Sequence, residues 1–317
     1  TSLGFVGGQF LGGLDYIFGV ARTDVLTIVM ITGLTVAFTI SVALGVEKGI
    51  KRVSNFNMVV FFFLMVVAFV FGPTLYILST YVTSLGTYVG VLPELAFWSQ
   101  TGGGDTWQSG WTIFYWGWWI SWSPFVGMFI ARVSKGRTVR EFILGVMIFP
   151  TVLSFLWMST FGGSALWLQS TGVADILGAV NDDVATGLFK MLESFPITAV
   201  TSIIGILLVT VFFITSSDSG SLVVDHLPSG GKLDSPVPQR VFWAVTEGVI
   251  AAALLLGGGL TALQSAAIAT GLPFTIVLLI MSYSLYKGLQ EEHYHATIIE
   301  KIQPEQQEFE VPVGKKG

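Results

Sequence analysis

Cysteine is absent from the 317 residues, and charged residues are scarce. Without cysteine the chain cannot form a disulfide framework, a zinc–thiolate site or an iron–sulfur cluster. Charged residues make up 11% of the chain, against about 25% in an average soluble domain. Because 20 acidic residues outnumber the 15 lysines and arginines, the composition excludes a typical nucleic-acid-binding protein. So few charges could not cover the surface of a soluble protein of this size, which leaves a membrane protein as the predicted class.

Long apolar runs dominate the rest of the sequence. Hydrophobic residues make up 52% of it, and the mean hydropathy is +0.74. A spanning helix needs about 20 mainly apolar residues, and these continuous runs favour helices over the alternating strands of a membrane barrel. Eight segments qualify wholly or in part: about 2–20, 25–45, 57–81, 111–132, 141–161, 198–217, 239–257 and 263–286.

The predicted fold is an all-α polytopic membrane protein with about seven full spans plus half a span. The half-span is the first segment, which is short and rich in glycine. Because the chain opens inside this apolar run, we expect residues 1–288 to form an N-terminally truncated membrane core. Residues 289–317 are polar and are predicted to form a tail that is helical at first.

Basic residues indicate how the spans are oriented. The predicted connections alternate between two sides, and one side carries only Arg22 and Lys190, whereas the other carries the remaining 13 of 15 basic residues. Short loops rich in lysine and arginine stay cytoplasmic. The C-terminus is therefore predicted to be cytoplasmic and the protein to be a multi-pass component of the plasma (inner) membrane. The long connections on the outer side, 83–110 and 163–197, are predicted to be partly helical and interfacial.

Seven of the ten tryptophans fall between residues 98 and 122. At about 100° per helical residue, one face of the fourth segment collects four aromatic side chains, namely Tyr115, Trp118, Trp119 and Trp122, while Trp116 points away. Such a wall suits a cation that cannot donate hydrogen bonds, of which quaternary ammonium is the standard example. The alternative is an aromatic belt at the membrane interface. Trp119 and Trp122 lie roughly 12–17 Å along the helix from Trp111, too deep for a belt, so we favour the ligand wall for them and for Trp118.

Two further patterns accompany this wall. Ser123-Pro124 is predicted to interrupt the helix, as broken helices do at transporter binding sites, although an ordinary proline kink would look the same. Residues 212–221, FFITSSDSGS, supply a dense run of hydroxyl groups that could bind a hard cation such as Na⁺. For Ser219 and Ser221 we favour hydrogen bonds within their own helix or a capping role. Asp218 is a candidate cap or gate residue.

The sequence shows no catalytic motif and no pair of intramembrane carboxylates. A membrane-embedded enzyme should place convergent titratable residues at mid-depth, and a channel should show a repeated pore ring. Neither pattern is visible, so an enzyme or channel remains the alternative from another class, and we expect no enzymatic activity and no cofactor.

Residues 114–146, FYWGWWISWSPFVGMFIARVSKGRTVREFILGV, closely resemble the signature of the betaine/carnitine/choline transporter (BCCT) family. The resemblance extends over essentially the whole chain, through TSLGFVGGQ (1–9), KGIKRVSNFNM (48–58), GGSALW (162–167) and FFITSSDSGS (212–221). It implies a twelve-span protein with a LeuT-type core of two inverted repeats, of which this chain would cover the fifth to the twelfth span.

The same resemblance implies a function. It indicates a secondary active transporter that imports quaternary-ammonium osmolytes of the choline or glycine betaine type by alternating access. Coupling would be to Na⁺, with H⁺ coupling, as in choline-importing members, as the alternative. The other implied partners are the lipid bilayer and two further copies of the chain in a homotrimer.

Site residues can be carried over from the family by position. In the substrate box, Trp119 resembles the main residue and Trp118 and Trp122 its neighbours, with Trp116 as a further signature tryptophan. Phe114 and Phe129 stand where the family has its outer and inner gate aromatics. Two sodium sites are implied, one linked to Phe125 and the other formed by the Phe212 carbonyl, Thr215 and Ser216.

Overall fold

The computed structural model describes residues 2–44, 49, 51–100, 107–226, 228–229 and 235–309, and these form helices without any strand. The first half of the chain forms α1 (Ser2–Phe18), α2 (Asp24–Leu44), α3 (Lys51–Phe71), α4 (Thr74–Phe97) and α5 (Phe114–Val133). The second half forms α6 (Val139–Ile143), α7 (Phe149–Trp157), α8 (Gly163–Ser170), α9 (Ile176–Asp182), α10 (Gly187–Leu192), α11 (Thr198–His226) and α12 (Val237–Phe309).

Six of the described helical stretches are long and apolar enough to cross a membrane: Asp24–Leu44, Lys51–Phe71, Thr74–Phe97, Val139–Ser170, Thr198–Asp225 and Val237–Glu292. The last contains Gly259, whose φ of 63° and ψ of −153° are not helical. Because only glycine adopts such angles readily, Gly259 divides α12 into a first arm (237–258) and a second arm (260–309). These arms correspond to the last two predicted spans. The chain is thus an all-α polytopic membrane protein, as the sequence predicts.

The predicted single span 57–81 is wrong, because two helices meet there. α3 ends at Phe71 and α4 begins at Thr74. Pro73 has no N–H group and its ring blocks the carbonyl four residues earlier. That carbonyl belongs to Phe69, and it accepts a hydrogen bond of 2.7 Å from Thr74 Oγ1 instead. The helix that the sequence analysis assigned to the outer connection 83–110 therefore begins earlier, directly after the proline, and runs to Phe97.

The predicted interruption at Ser123-Pro124 is also wrong, since α5 runs without a break through the proline. Ser123 Oγ donates a 2.5 Å hydrogen bond to the Trp119 carbonyl, so its hydroxyl stays within the helix. The irregularity lies earlier, in a π-helical turn at Ser109–Ile113 that leads directly into α5. Single π-helical turns within helices are frequent at functional sites.

Two other predicted spans are longer than the sequence indicated. The predicted span 198–217 continues to His226 as α11, so the hydroxyl run lies inside a helix and not at its end. The predicted span 141–161 continues to Ser170 and contains two π-helical turns, Leu144–Ile148 and Met158–Gly162. The tail is helical at first, as predicted, because α12 extends to Phe309.

Two buried apolar clusters hold the helices together. One joins α1, α2, α11 and the first arm of α12, where Phe38 of α2 meets Phe213 of α11 edge to face, with ring centroids 6.0 Å apart. The other joins α3 to the short helices α8–α10 and to α11, and includes the fully buried Leu64 and Leu192. α11 belongs to both clusters, which places it at the centre of the described helices.

Candidate functional site

Helix α5 is seated on the second arm of α12 by two glycines and one serine. A Cβ atom on Gly271 would lie 3.0 Å from the Gly117 Cα, so the two backbones touch where the helices cross. Small residues allow such close approach in membrane helices. Next to the crossing, Ser121 Oγ lies 2.6 Å from the Gly117 carbonyl, 3.0 Å from the Ala267 carbonyl and 3.0 Å from Thr270 Oγ1. This contact fixes the rotation of α5 and therefore the direction of its tryptophans.

A cavity of about 320 Å³ lies between α2, α5, α11 and α12, a volume at the lower end of the range for ligand pockets. Trp118 and Trp122 line it from α5, Ser216 and Ser217 from α11, and Glu247 from the first arm of α12. We call it the carboxylate cavity, after Glu247. Aromatic, hydroxyl and carboxylate groups therefore meet in one open pocket.

A second cavity of about 360 Å³ lies on the other side of Trp122, between α3, α5 and α11. We call it the hydroxyl cavity because four hydroxyl side chains contribute to it: Ser54, Thr215, Ser216 and Ser219. Phe125 and Phe129 complete its α5 wall. The predicted sodium-site residues Phe125, Thr215 and Ser216 thus share one cavity with the predicted inner gate Phe129, whereas Phe212 does not line it.

Trp122 and Ser216 line both cavities and form the partition between them. Gly220 makes room for the indole, because a Cβ there would lie 2.6 Å from Trp122 Cη2. On its other side the Trp122 ring stacks on Phe125, with centroids 5.8 Å apart. Movement of this one indole would therefore change both cavities.

The remaining predicted wall residues lie outside the cavities. Trp116 and Trp119 are 66% and 68% exposed. Tyr115 is exposed and its ring stacks on Trp111, with centroids 5.9 Å apart. Phe114, the predicted outer gate, is buried and stacks on Trp118 at 5.6 Å. The structure therefore brings Trp118 and Trp122 together at a cavity and leaves Trp116, Trp119 and Tyr115 on an open face.

The predicted sodium ligands on α11 are partly engaged within the helix. Thr215 Oγ1 donates a 2.8 Å hydrogen bond to the Phe212 carbonyl, and the Phe212 side chain points outward with 59% exposure. Ser219 Oγ donates to the Thr215 carbonyl at 3.0 Å, as predicted. The side chain of Asp218 lies outside the described residues. Thr215 and Ser216 thus present hydroxyl oxygens beside a cavity.

Sequence reasoning missed Glu247 and misjudged Ser221. Ser221 does not bond within its own helix. It is fully buried, and its hydroxyl donates a 2.8 Å hydrogen bond to Glu247 Oε2 on α12. The available signal was a single acidic residue inside the apolar run 239–257, since an ionisable residue at such a position is a functional candidate by default.

A separate polar network ties α1 and the residues directly after it to the segment 183–193. Arg22 forms salt bridges with Asp183 and, at 3.7 Å, with Asp15. Glu193 accepts hydrogen bonds from Lys190 at 2.8 Å and from the Tyr16 hydroxyl at 2.6 Å. The hydrogen bond from Lys190 and then that from Tyr16 hold the pKa of the Glu193 carboxyl below its usual range. The network therefore joins residues near the beginning of the chain, Tyr16 and Arg22, to Asp183 and Glu193.

Comparison with known proteins agrees with the geometry. Residues 1–294 match the family model described as BCCT, betaine/carnitine/choline family transporter. The chain is 49% identical over 293 residues to a glycine betaine/proline/choline transporter of Vibrio parahaemolyticus, covering 92% of this chain and 52% of that protein. It is 43% identical over 304 residues to the glycine betaine transporter OpuD of Bacillus subtilis, covering 95% of this chain and 59% of OpuD.

An uncharacterized transporter of Mycobacterium tuberculosis is 50% identical over 292 residues, covering 91% of this chain and 49% of that protein. The chain therefore spans about half the length of the curated relatives it matches. The family match extends over nearly the whole chain, from α1 into the second arm of α12. This chain belongs to the betaine/carnitine/choline transporter family.

Proposed function

We propose that this chain forms part of a secondary active transporter that imports quaternary-ammonium osmolytes such as choline or glycine betaine. The observation that carries the proposal is the carboxylate cavity, which Trp118 and Trp122 of α5 line together. A trimethylammonium group has no N–H to donate, so aromatic faces bind it better than hydrogen-bond acceptors do. Relatives named as transporters of glycine betaine and choline support the same substrate class.

Alternating access would operate around this site. Trp122 and Ser216 separate the carboxylate cavity from the hydroxyl cavity, so displacement of the indole would connect the two spaces. We assign Phe114 to an outer gate and Phe129 to an inner gate. Trp119 remains a substrate residue in this proposal, because its exposed ring on α5 is open to a ligand or to another segment of a complete transporter.

We propose Na⁺ as the coupling ion, bound beside the hydroxyl cavity. Hard cations prefer oxygen ligands. Thr215 and Ser216 supply two hydroxyls at this cavity, and the Thr215 hydroxyl lies 2.8 Å from the Phe212 carbonyl. Phe125, which lines the same cavity, would belong to the neighbouring sodium site. H⁺ coupling is the alternative, and the half-buried carboxylate of Glu247 in the carboxylate cavity is the observation that favours it.

The protein would act in the plasma (inner) membrane with its C-terminus in the cytoplasm, as a homotrimer. This orientation places α3 across the membrane and α4 in the outer connection, and the basic residues then fall mainly on one side. The trimer rests on the family resemblance.

Uptake of radiolabelled choline and glycine betaine into proteoliposomes that contain the complete gene product tests the function. We expect saturable uptake that requires an inward Na⁺ gradient at fixed pH. If uptake depends on an imposed pH gradient and not on Na⁺, the coupling ion is H⁺. Absence of saturable uptake of either compound under both gradients would overturn the proposed function.

A further inference from the structure

We infer that Glu247 sets substrate specificity, favouring ligands with a net positive charge, of the choline class, over zwitterions such as glycine betaine. The inference rests on the proposed quaternary-ammonium function and deepens it by naming the preferred charge of the ligand. Its starting point is the placement of one carboxylate in the same cavity as Trp118 and Trp122.

Glu247 is built into the cavity wall. It is the eleventh residue of α12, about 15 Å from the beginning of that helix. Ser221, which is fully buried on α11, donates to Oε2 at 2.8 Å and thereby fixes the carboxyl group across the helix interface. An ionised carboxylate has about four lone-pair sites on its two oxygens, and this hydrogen bond occupies one of them.

The cavity supplies no opposite charge. Its lining contains no lysine or arginine, and the described residues include no salt bridge to Glu247. Glu247 is half-buried, and a carboxylate charge that is partly removed from water is costly unless it is paired. A ligand with a net positive charge would provide the missing partner, and the two tryptophans of the lining would contact its methyl groups.

Net charge separates the two ligand classes that the tryptophans cannot separate. Choline and tetramethylammonium carry one positive charge, and glycine betaine carries the same trimethylammonium group together with a carboxylate. The aromatic faces of Trp118 and Trp122 would bind the methylated heads alike. The carboxylate of Glu247 attracts the first class, whereas for glycine betaine the attraction to the ammonium group is offset by repulsion between two carboxylates.

The experiment measures binding to the purified complete gene product by tryptophan fluorescence, with tetramethylammonium and glycine betaine as probes. Glu247→Gln keeps the length of the side chain and an amide that can bond Ser221, but removes the charge. We expect it to weaken tetramethylammonium binding by about tenfold or more and glycine betaine binding by less than about threefold. Glu94→Gln, at an exposed position on α4, is the matched control and should change neither affinity.

Equal weakening of both probes would overturn the inference, because it would show that Glu247 only joins α11 to α12 through Ser221. Unchanged tetramethylammonium binding would overturn it too. Should the variant not fold, the wild type decides, since it is expected to bind tetramethylammonium more tightly than glycine betaine, and the reverse order would contradict the inference. Because the readout is binding, a charge-selective site in a protein that transports neither compound would contradict the proposed function and leave the inference standing.

Discussion

The two faces of α5 differ in how they pack against the rest of the protein. One face carries Gly117 and Ser121 and is pressed against the second arm of α12, backbone to backbone. The other carries Trp116 and Trp119, whose rings are about two-thirds exposed. A helix in a membrane protein gains stability from close packing of small residues, so the largest side chains of α5 are not the ones that anchor it.

Trp118 and Trp122 lie between these faces, and their position follows from the same packing. At about 100° per residue, Trp122 is roughly 40° and Trp119 roughly 100° round the helix from Trp118, moving away from α12. Exposure rises in that order, with Trp122 at 37% and Trp119 at 68%. The glycine contact therefore decides which tryptophans line a cavity. Substitutions on the packed face should lower stability, whereas substitutions on the open face should weaken substrate binding.

The largest effect is expected from Gly117→Leu. A Cβ at this position would lie 3.1 Å from the Ile268 Cα, and backbone cannot move aside as a flexible side chain can. Overpacking of this kind costs about 1–3 kcal/mol, so we expect a clear fall in the melting temperature of the purified protein, measured by thermal-shift size-exclusion chromatography. Gly127→Leu is the control on the same helix, because a Cβ there meets nothing within 4 Å. Equal melting temperatures for the two variants would show that the glycine crossing is not what seats α5.

The next effect concerns the open face. Trp119→Ala should weaken choline uptake far more than Trp111→Ala, because a desolvated cation–π contact is worth about 2 kcal/mol, or roughly 30-fold in affinity. Both side chains are more than half exposed here, so they lose similar packing. Uptake measured over a range of choline concentrations gives the two half-saturation values. Similar changes of the half-saturation value in both variants would show that Trp119 does not belong to the substrate site.

A smaller effect is expected at the hydroxyl cavity. Thr215→Ala combined with Ser216→Ala removes two oxygens from the proposed hard-cation site and should raise the Na⁺ concentration for half-maximal uptake by about tenfold. The matched control is Ser282→Ala with Ser284→Ala, two exposed hydroxyls that bond within α12. Uptake is measured against external Na⁺ at fixed pH. If the Thr215→Ala, Ser216→Ala variant keeps the wild-type Na⁺ dependence, the Na⁺ site lies at other residues.

The sequence predicted which segments are helical and apolar, because hydrophobic runs of this length have few other solutions in a membrane. It misplaced breaks, since proline permits two outcomes. At Pro73 the neighbouring Gly72 and Thr74 let the chain turn and satisfy the freed carbonyl, whereas at Pro124 the helix continues. The proline alone therefore does not show whether a helix ends or continues.

The candidate site, too, could be predicted from the sequence only in part. Helical spacing could show that Trp118 and Trp122 share a face, and they do line one cavity. It could not show that Glu247 reaches that cavity from another helix, because the contact between Ser221 and Glu247 joins residues 26 positions apart across two packed helices. Periodicity gives the face of a helix, and only packing gives the partner of that face.

The smallest effect is expected where neither packing face of α5 is involved, in the polar network of Glu193. Hydrogen bonds from Lys190 and Tyr16 favour the ionised carboxyl and lower its pKa in the folded protein. Because the folded pKa lies below the unfolded one, the stabilisation is complete above the unfolded value, about 4.3, and is lost as the pH falls through the folded value. Half of the Glu193 side chain is exposed, so solvent screening limits the gain to less than about 1 kcal/mol.

Melting temperatures of the wild type and of Glu193→Gln, recorded from pH 7 down to pH 3, measure this contribution. The wild type should be slightly more stable near neutral pH, by a few degrees at most, and the difference should shrink steadily below about pH 4. Addition of salt should reduce the same difference, since the Lys190 ion pair is partly exposed. A difference that is independent of pH would show that Glu193 stabilises the protein through its shape and not through its charge.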